Sequence, residues 1–294
     1  MELTQLRQFK ILAECSSMTQ AAEKLHISQP ALSAALKKLE DELETPLFER
    51  KRSRMILNDA GKLALTYAGA IIEKADEMKN IFRRYIRQNN TLLLGFCDPG
   101  PMRLSVPLFQ KSCPEIEVSS ELLTSEDNAP NNLLSHKYDI VISLRELKHP
   151  DIVSMPFARE ELMLSVPAQD PLAAEKQICL HDHQTRKIAV YSIDGAYERR
   201  ISPFMNWLRT LPSVTFYTDY FVFQQLLNHK NVLTFTTRLV RQYRNDGGNR
   251  VVIPLTDEGI SAVYWFSFLR ENQKRAAPFI DWQRQNATPL LGLE

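Results

Sequence analysis

The chain has 294 residues, a formal net charge of +1, 44% hydrophobic residues and 24% charged residues. This length allows about two domains, and this composition excludes a wholly disordered chain. No apolar run reaches the ~18–20 residues that a membrane-spanning helix needs, and the mixed-charge start is unlike a secretory signal. We therefore expect a cytoplasmic protein that does not bind membranes.

The first 57 residues predict three helices and a two-stranded wing. Ser17 and Ser28 are N-cap candidates for the second and third helices. Pro30 falls in the first turn of the third helix, where backbone N–H groups have no partner within the helix. The polar face of this helix has no carboxylate before Glu40.

That polar face has the side chains expected of a helix that enters the major groove of DNA. Gln29 can bond a base edge, Ser33 can bond a base or a phosphate, and Lys37 lies on the same side. The helix start at Ser28 favours a nearby phosphate. On spacing alone, an ordinary helical hairpin within a bundle remains an alternative.

A basic turn follows and favours the DNA-binding interpretation. The segment PLFERKRSRMIL has β-prone ends around four cations in five positions, namely Arg50, Lys51, Arg52 and Arg54. A two-stranded wing would carry such cations onto the phosphates that flank the groove.

The segment MTQAAEKLHISQPALSAALKKLEDELETPLFER, followed by LNDAGK, resembles the winged helix-turn-helix of the LysR-type transcriptional regulators. The fragments AA-x-x-L, SQPALS, LE-x-EL and PLFER recur in that family at these relative positions. Family members often have arginine at the position of Ala34, so base preference is not carried over. The resemblance implies that the following residues face DNA: Thr19, Gln29, Pro30, Ser33, Arg50 and Arg52.

Residues 58–89 predict one long linker helix with Asn58 as its N-cap. Small and apolar residues recur along it at alternating steps of four and three, which is typical of a coiled-coil seam. A stripe packed on its own domain is the alternative. The resemblance implies homodimers, often paired into tetramers, through this helix. The predicted seam consists of Ala64, Ala68, Ile71, Ala75, Met78, Phe82 and Tyr85.

Residues 90–294 alternate β-rich runs with helical stretches, which predicts an α/β domain. This region resembles the effector-binding domain of the same family, which has the fold of periplasmic binding proteins. The resemblance implies two subdomains, the first at about 91–161 and 267–294 and the second at about 162–266. The predicted fold class is α+β overall, with a winged helix-turn-helix at 1–57, a linker helix and a two-subdomain effector domain.

Ligands of such folds bind in the cleft outside the carboxyl ends of the strands. An ionised Asp98 in this cleft would repel an anion by about 1–4 kcal/mol at ~4 Å, so we expect an effector that is not a simple anion there. Serine and threonine at strand ends also commonly cap helices or turns. The expected cleft residues are Cys97, Asp98, Gly100, Pro101, Met102, Thr124, Ser125, Ser143, Ser192, Asp194, Phe223 and Thr236.

We expect no cofactor and no metal. The four cysteines lie far apart, which is neither a disulfide framework nor a zinc-site spacing. His181 and His183, in the segment HDH, have no third ligand nearby in the sequence.

The sequence therefore predicts a regulator rather than an enzyme. It would bind a palindromic operator in double-stranded DNA as a homo-oligomer, respond to a small-molecule effector and act with RNA polymerase. A thiol-based redox sensor of the same architecture is an alternative, although only Cys179 lies in the second subdomain. An enzyme would need a pair such as Cys97 with His136, His149 or His181, and the sequence shows no nucleophile elbow, phosphate-binding loop or dinucleotide fingerprint.

Overall fold

The computed structural model places the chain in two compact units, Met1–Ile86 and Arg87–Glu294. It describes residues 1–15, 17–51, 54–86, 91–192, 195–229, 232–243 and 249–286. Within these ranges, no helix has both the length and the apolar character that crossing a membrane requires.

The first unit has the predicted order of elements, with hydroxyl or amide caps at the predicted helix starts. Ser17 Oγ accepts the Gln20 N–H at 3.3 Å, and Asn58 Oδ1 accepts the Gly61 N–H at 2.7 Å. The elements are α1 Leu3–Glu14, α2 Met18–Leu25, α3 Gln29–Glu42, β1 Phe48–Lys51, β2 Arg54–Leu57 and α4 Asp59–Ile86.

The core of this unit is built from one stripe on each helix. Phe9 on α1 packs edge-on against Phe48 of β1, with ring centroids 5.7 Å apart. The first half of α4 closes the core, and Ala68 and Ile72 are buried in it. An ion pair between Arg7 and Asp76, at 2.5 Å, also joins α1 to α4. The remaining buried side chains are Leu6, Leu12, Ala21, Ala22, Leu32, Leu36, Leu39 and Leu47.

The second unit is the predicted α/β region. Its strands are β3 Thr91–Phe96, β4 Glu117–Leu122, β5 Ile140–Ser143, β6 Ile152–Pro167, β7 Ile188–Tyr191, β8 Val214–Tyr217, β9 Leu233–Thr237, β10 Arg250–Pro254 and β11 Ser261–Leu269. Its helices are α5 Pro99–Ser112, α6 Ala129–Leu134, α7 Ala196–Arg200, α8 Ser202–Thr210, α9 Tyr220–His229 and α10 Gln273–Asn286.

The strands form one mixed sheet in the order β4-β3-β5-β11-β6-β9-β7-β8, with β10 also paired to β6. The long strand β6 changes partners along its length. Residues 152–161 pair with β11, whereas residues 162–167 pair with β9 and β10. This change coincides with the predicted subdomain boundary at 161/162. The other predicted boundary, at 266/267, falls inside β11, and both subdomain limits stay predictions.

Candidate DNA-binding face and ligand cavity

The polar face of α3 is exposed, as the sequence predicts. Ser28 Oγ accepts the Ala31 N–H at 3.3 Å and so fixes the helix start. Leu32, Leu36 and Leu39 are buried on the opposite side of α3. The predicted DNA-facing residues Thr19, Ser28, Gln29, Pro30, Ser33 and Lys37 are all exposed.

The wing is the antiparallel hairpin of β1 and β2, paired from Phe48 with Leu57 to Lys51 with Arg54. The backbones of Arg50 and Arg54 belong to these strands, but their side chains lie outside the described part of the structure. Arg52 also lies outside the described residues.

The exposed apolar surface of α4 coincides only in part with the predicted seam. Ala68 is only 2% exposed and packs in the core of its own unit, and Ala64 packs against that core. The prediction of Ala68 as a seam residue is therefore wrong, because its small side chain lets α4 pack on its own unit, whereas the half-buried Ala64 stays a predicted seam residue. The side chain of Tyr85 lies outside the described residues, and Ala75 is half-buried. The exposed large apolar residues are Leu63, Tyr67, Ile71, Met78, Ile81 and Phe82.

The second unit contains a cavity of about 540 Å³. Its lining comes from the starts of α5, α7 and α9, from α8, from strands β6, β7, β9 and β11, and from the turn at 240–243. The lining includes three acids, Asp98, Glu160 and Glu198, and one cation, Arg103. Aromatic residues form much of the remaining wall, namely Tyr191, Tyr197, Tyr220, Phe235, Tyr243 and Tyr264.

Asp98, Gly100 and Thr236 are the predicted cleft residues that line this cavity. Asp194 lies outside the described residues. The other predicted cleft residues do not line this cavity, and their assignment to effector binding stays a prediction; they are Cys97, Pro101, Met102, Thr124, Ser125, Ser143, Ser192 and Phe223.

Most of these residues have structural contacts elsewhere. Ser125 Oγ accepts the Asp127 N–H at 3.2 Å, and Ser143 Oγ donates to the Arg145 carbonyl at 2.8 Å. Ser192 Oγ donates to Glu198 Oε1 at 2.5 Å. Phe223 is fully buried against Ala189 and Leu227, and Pro101 is buried in α5. Cys97 and Met102 pack against the larger hydrophobic core of the second unit, whereas Thr124 is exposed.

Asp98 is the N-cap of α5 and is only 8% exposed. Its Oδ1 accepts the Gly100 N–H at 3.2 Å, and its Oδ2 accepts the Tyr197 N–H at 3.0 Å. Burial raises the pKa of this carboxyl, while the N–H donors and the positive charge of Arg199 oppose that shift. The carboxylate thus joins the starts of α5 and α7.

Glu160 is a cavity residue that the sequence analysis missed. It is 2% exposed, and its Oε1 accepts the Leu239 N–H at 2.9 Å. Burial raises its pKa to about 8, and the nearby charge of Asp98 adds to the shift. The alternation along β6 gives a signal for it, because Ala158, Glu160, Leu162 and Leu164 point to one buried face.

Two buried hydroxyls that line the cavity lack a hydrogen-bond partner among the described residues. They are Tyr264 Oη and Thr236 Oγ1. Buried polar atoms are normally satisfied by protein or water, so these two are available to a ligand. In contrast, Tyr197 Oη donates to the Ile260 carbonyl at 2.5 Å.

Two of the thiols lie in surroundings that lower their reactivity. Burial raises the pKa of Cys97, and desolvation also raises the pKa of Cys113. Both shifts lower the fraction of reactive thiolate.

Cys179, His181 and Asp257 offer three possible metal ligands whose atoms lie within 4.8 Å of one another. Asp257 is already engaged, however. Its Oδ2 accepts the Leu180 N–H at 2.7 Å, and its Oδ1 lies 2.5 Å from His181 Nδ1, which is a hydrogen bond. We therefore interpret Asp257 as the residue that caps the turn at 180–183.

Comparisons with known proteins agree with this architecture. The family described as bacterial regulatory helix-turn-helix protein, lysR family, matches residues 3–62, and the LysR substrate binding domain matches residues 101–288. The Hca operon transcriptional activator HcaR of Escherichia coli K12 is 30% identical over 208 residues, which cover 69% of each chain. The uncharacterized HTH-type transcriptional regulator YbhD of the same strain is 31% identical over 181 residues, covering 60% of this chain and 57% of YbhD.

Among solved structures, full-length BenM matches with a TM-score of 0.50 and 21% identity, covering 98% of this chain and 97% of BenM. This likeness concerns the fold alone. The two family matches together span most of the chain and correspond to its two structural units. The chain therefore belongs to the LysR family and is a DNA-binding transcriptional regulator with an effector-binding domain.

Proposed function

We propose that this regulator binds a palindromic operator as a homo-oligomer and that a small molecule in the 540 Å³ cavity switches it. The observation that carries the DNA-binding part is the exposed face of α3. It begins at a capped helix start, it is polar, and it is free of carboxylates from Ser28 to Lys38. Such a face fits the major groove, with the wing beside it on the phosphates.

The exposed apolar stripe of α4 supports the homo-oligomer. Six large apolar side chains stand in solvent between Leu63 and Phe82, and their exposed fractions range from 41% to 64%. Contiguous apolar patches on a protein surface mark interaction sites. We propose that this stripe, which we call the α4 stripe, packs against its copy in a second chain.

Three further parts of the proposal concern partners, place and chemistry. HcaR is a transcriptional activator, which supports RNA polymerase as a further partner of this regulator. The place of action is the cytoplasm, and the chain is not an enzyme. The raised pKa of Cys97 argues against a nucleophile at the start of α5.

Gln29→Ala is expected to weaken operator binding by about 1–3 kcal/mol and to relax sequence preference, because a base-edge contact is lost. Lys37→Ala is expected to weaken binding to all sequences alike and to reduce the slope of log K against log salt by about 1. Fluorescence anisotropy with operator and scrambled duplexes at several salt concentrations measures both effects.

Lys111→Ala is the matched control, since it removes an exposed lysine from the second unit. It is expected to bind DNA like the parent protein. The groove assignment fails if Gln29→Ala and Lys37→Ala also behave like the parent.

Ile71→Glu and Phe82→Glu are each expected to raise the dimer dissociation constant on the order of a hundredfold, because a buried unpaired charge opposes association. Sedimentation velocity across a dilution series gives this constant. Thr66→Glu adds the same charge at an exposed position that borders the stripe without belonging to it, and it should raise the dissociation constant much less. A parent protein that is monomeric at micromolar concentration would contradict the proposed seam.

A further inference from the structure

The carboxylate of Asp98 lies in the wall of the cavity and accepts hydrogen bonds from backbone N–H groups there. The N–H groups of Gly100 and Tyr197 both donate to Asp98, at 3.2 and 3.0 Å. Backbone N–H groups at a helix start otherwise favour an anionic ligand group. Because Asp98 occupies these donors, they are not free to hold a carboxylate or phosphate of a ligand.

A second carboxyl group lies beside the first. A β-carbon on Gly100 would lie 3.6 Å from Asp98 Oδ1 and 3.7 Å from Glu160 Oε2, so both oxygens border one small space in the wall. The third acid, Glu198, is paired with Arg209 at 3.1 Å. Among the described lining residues, Arg103 is the one cation, and it is exposed; Arg199, whose charge acts on Asp98, does not line the cavity. The inner wall therefore offers negative charge and acceptors.

The rest of the lining suits an organic molecule with a positive head. Tyr191, Tyr220 and Tyr243 can present ring faces, which attract ammonium and guanidinium groups. The hydroxyls of Tyr264 and Thr236 have no partner among the described residues and can offer hydrogen bonds to a ligand. Leu162, Val190, Met205 and Phe235 supply apolar surface for a carbon skeleton, and the volume is in the usual range for small-molecule sites.

We propose that the effector is an organic cation whose ammonium or guanidinium group binds between Asp98 and Glu160. The inference rests on the proposed function, because it names the chemical class of the effector for the same cavity. Recognition would use charge-assisted hydrogen bonds to two buried carboxylates, which are stronger than neutral ones.

Cation binding should release a proton. Burial raises the pKa of Glu160 to about 8, so this carboxyl is mostly protonated at pH 7 in the empty cavity, and a cation favours its ionised form. Affinity should therefore increase from pH 6.5 to pH 8. Among the described residues, the other ionisable groups that line the cavity around Glu160 are Asp98, Arg103, Glu198 and the phenols of Tyr191, Tyr197, Tyr220, Tyr243 and Tyr264, and the charge of Arg199 acts on Asp98.

The test uses the full chain and matched probes that differ in the head group. Butylamine, butylguanidine and 2-phenylethylamine are compared with 1-butanol, 2-phenylethanol, pentanoate and 3-phenylpropionate by isothermal titration calorimetry. At least one cation should bind tenfold or more tightly than the alcohol and the carboxylate of its skeleton. Repeating the titration in buffers with different ionisation enthalpies should reveal proton release. The proposal is overturned if a carboxylate binds as tightly as its amine partner, or if none of the three cations binds.

Two variants locate the site. Glu160→Gln keeps the shape and the acceptor for Leu239 but removes the charge, and it should lower cation affinity at least tenfold and abolish proton release. Gly100→Ala places a methyl group at ordinary van der Waals distance from both oxygens, so it should fold normally and lose cation binding. Glu175→Gln changes an exposed acid outside the cavity and should bind like the parent. If Glu160→Gln binds the cations as tightly as the parent and still releases a proton, the proposed site is refuted.

Operator binding without probe is measured for the parent and all three variants. A chain that binds operator but no cation refutes the cation proposal alone. A chain that binds cations but no DNA refutes the proposed function instead.

Discussion

Replacing Glu160 by glutamine is expected to change the stability of the second unit differently at pH 8 and at pH 5. The change in the free energy of unfolding should be about 2–4 kcal/mol more stabilising at pH 8. Folding raises the pKa of Glu160 from 4.5 to about 8, so between these values the folded protein holds a proton that the unfolded chain has lost. The free energy of unfolding of the parent therefore falls as pH rises through this window. Glutamine has no proton to lose, and its variant should lack this part of the fall.

Urea unfolding of the parent and of Glu160→Gln at pH 5, 6, 7 and 8 measures this effect. Glu175→Gln, which changes an exposed acid, should follow the pH dependence of the parent. Equal pH dependence in the parent and in Glu160→Gln would mean that Glu160 is ionised in the folded protein at neutral pH. The carboxyl would then not be the proton source that the cation proposal requires.

The N-terminal unit could be predicted from the sequence because its signals are local. Ser17, Ser28 and Asn58 each accept a backbone N–H at the helix start where the sequence placed them. A cap depends on a few neighbouring residues, and the spacing of Leu32, Leu36 and Leu39 on α3 follows the helix period. Capping and periodicity therefore point to the same three helices.

The apolar stripe that α4 leaves exposed could not be predicted from periodicity alone. Two apolar stripes run side by side along this helix, and one of them must pack on α1. The sequence analysis joined Ala64 and Ala68 to Ile71, whereas the structure buries Ala68 and leaves Leu63 and Tyr67 exposed. The choice depends on how closely α1 and α4 approach, which is a tertiary property that the helix sequence does not contain.

The lining of the cavity was predicted only in part, because it also depends on tertiary contacts. Asp98 and Gly100 follow the first strand of the second unit, where the fold places ligands, and they do line the cavity. Ser125 and Ser143 also sit at strand ends but satisfy nearby backbone groups. Glu160 lies within β6, two residues before that strand changes partners, so only the folded sheet brings it to Asp98.

Arg275→Met is expected to destabilise the second unit by about 3–5 kcal/mol, because it leaves a buried carboxylate without its cation. The Asp139 side chain is fully buried, and its Oδ1 accepts the Arg275 Nε–H at 2.8 Å. Its Oδ2 accepts the Leu93 N–H at 2.9 Å, and the Arg275 guanidinium also donates to the Thr91 carbonyl at 2.5 Å. These bonds tie α10 to the first strand of the unit and to the residue that precedes β5.

Arg284→Met provides the matched control on the same helix. Arg284 and Asp281 are both more than 60% exposed and 3.8 Å apart, so losing this pair should cost no more than about 1 kcal/mol. The double variant Asp139→Asn, Arg275→Met should cost less than the sum of its single changes, since no buried charge is left unpaired. Urea unfolding of Arg275→Met, Arg284→Met, Asp139→Asn and the double variant measures the free energy of unfolding that each change costs. If Arg275→Met costs no more than Arg284→Met, the buried pair does not hold α10 on the sheet.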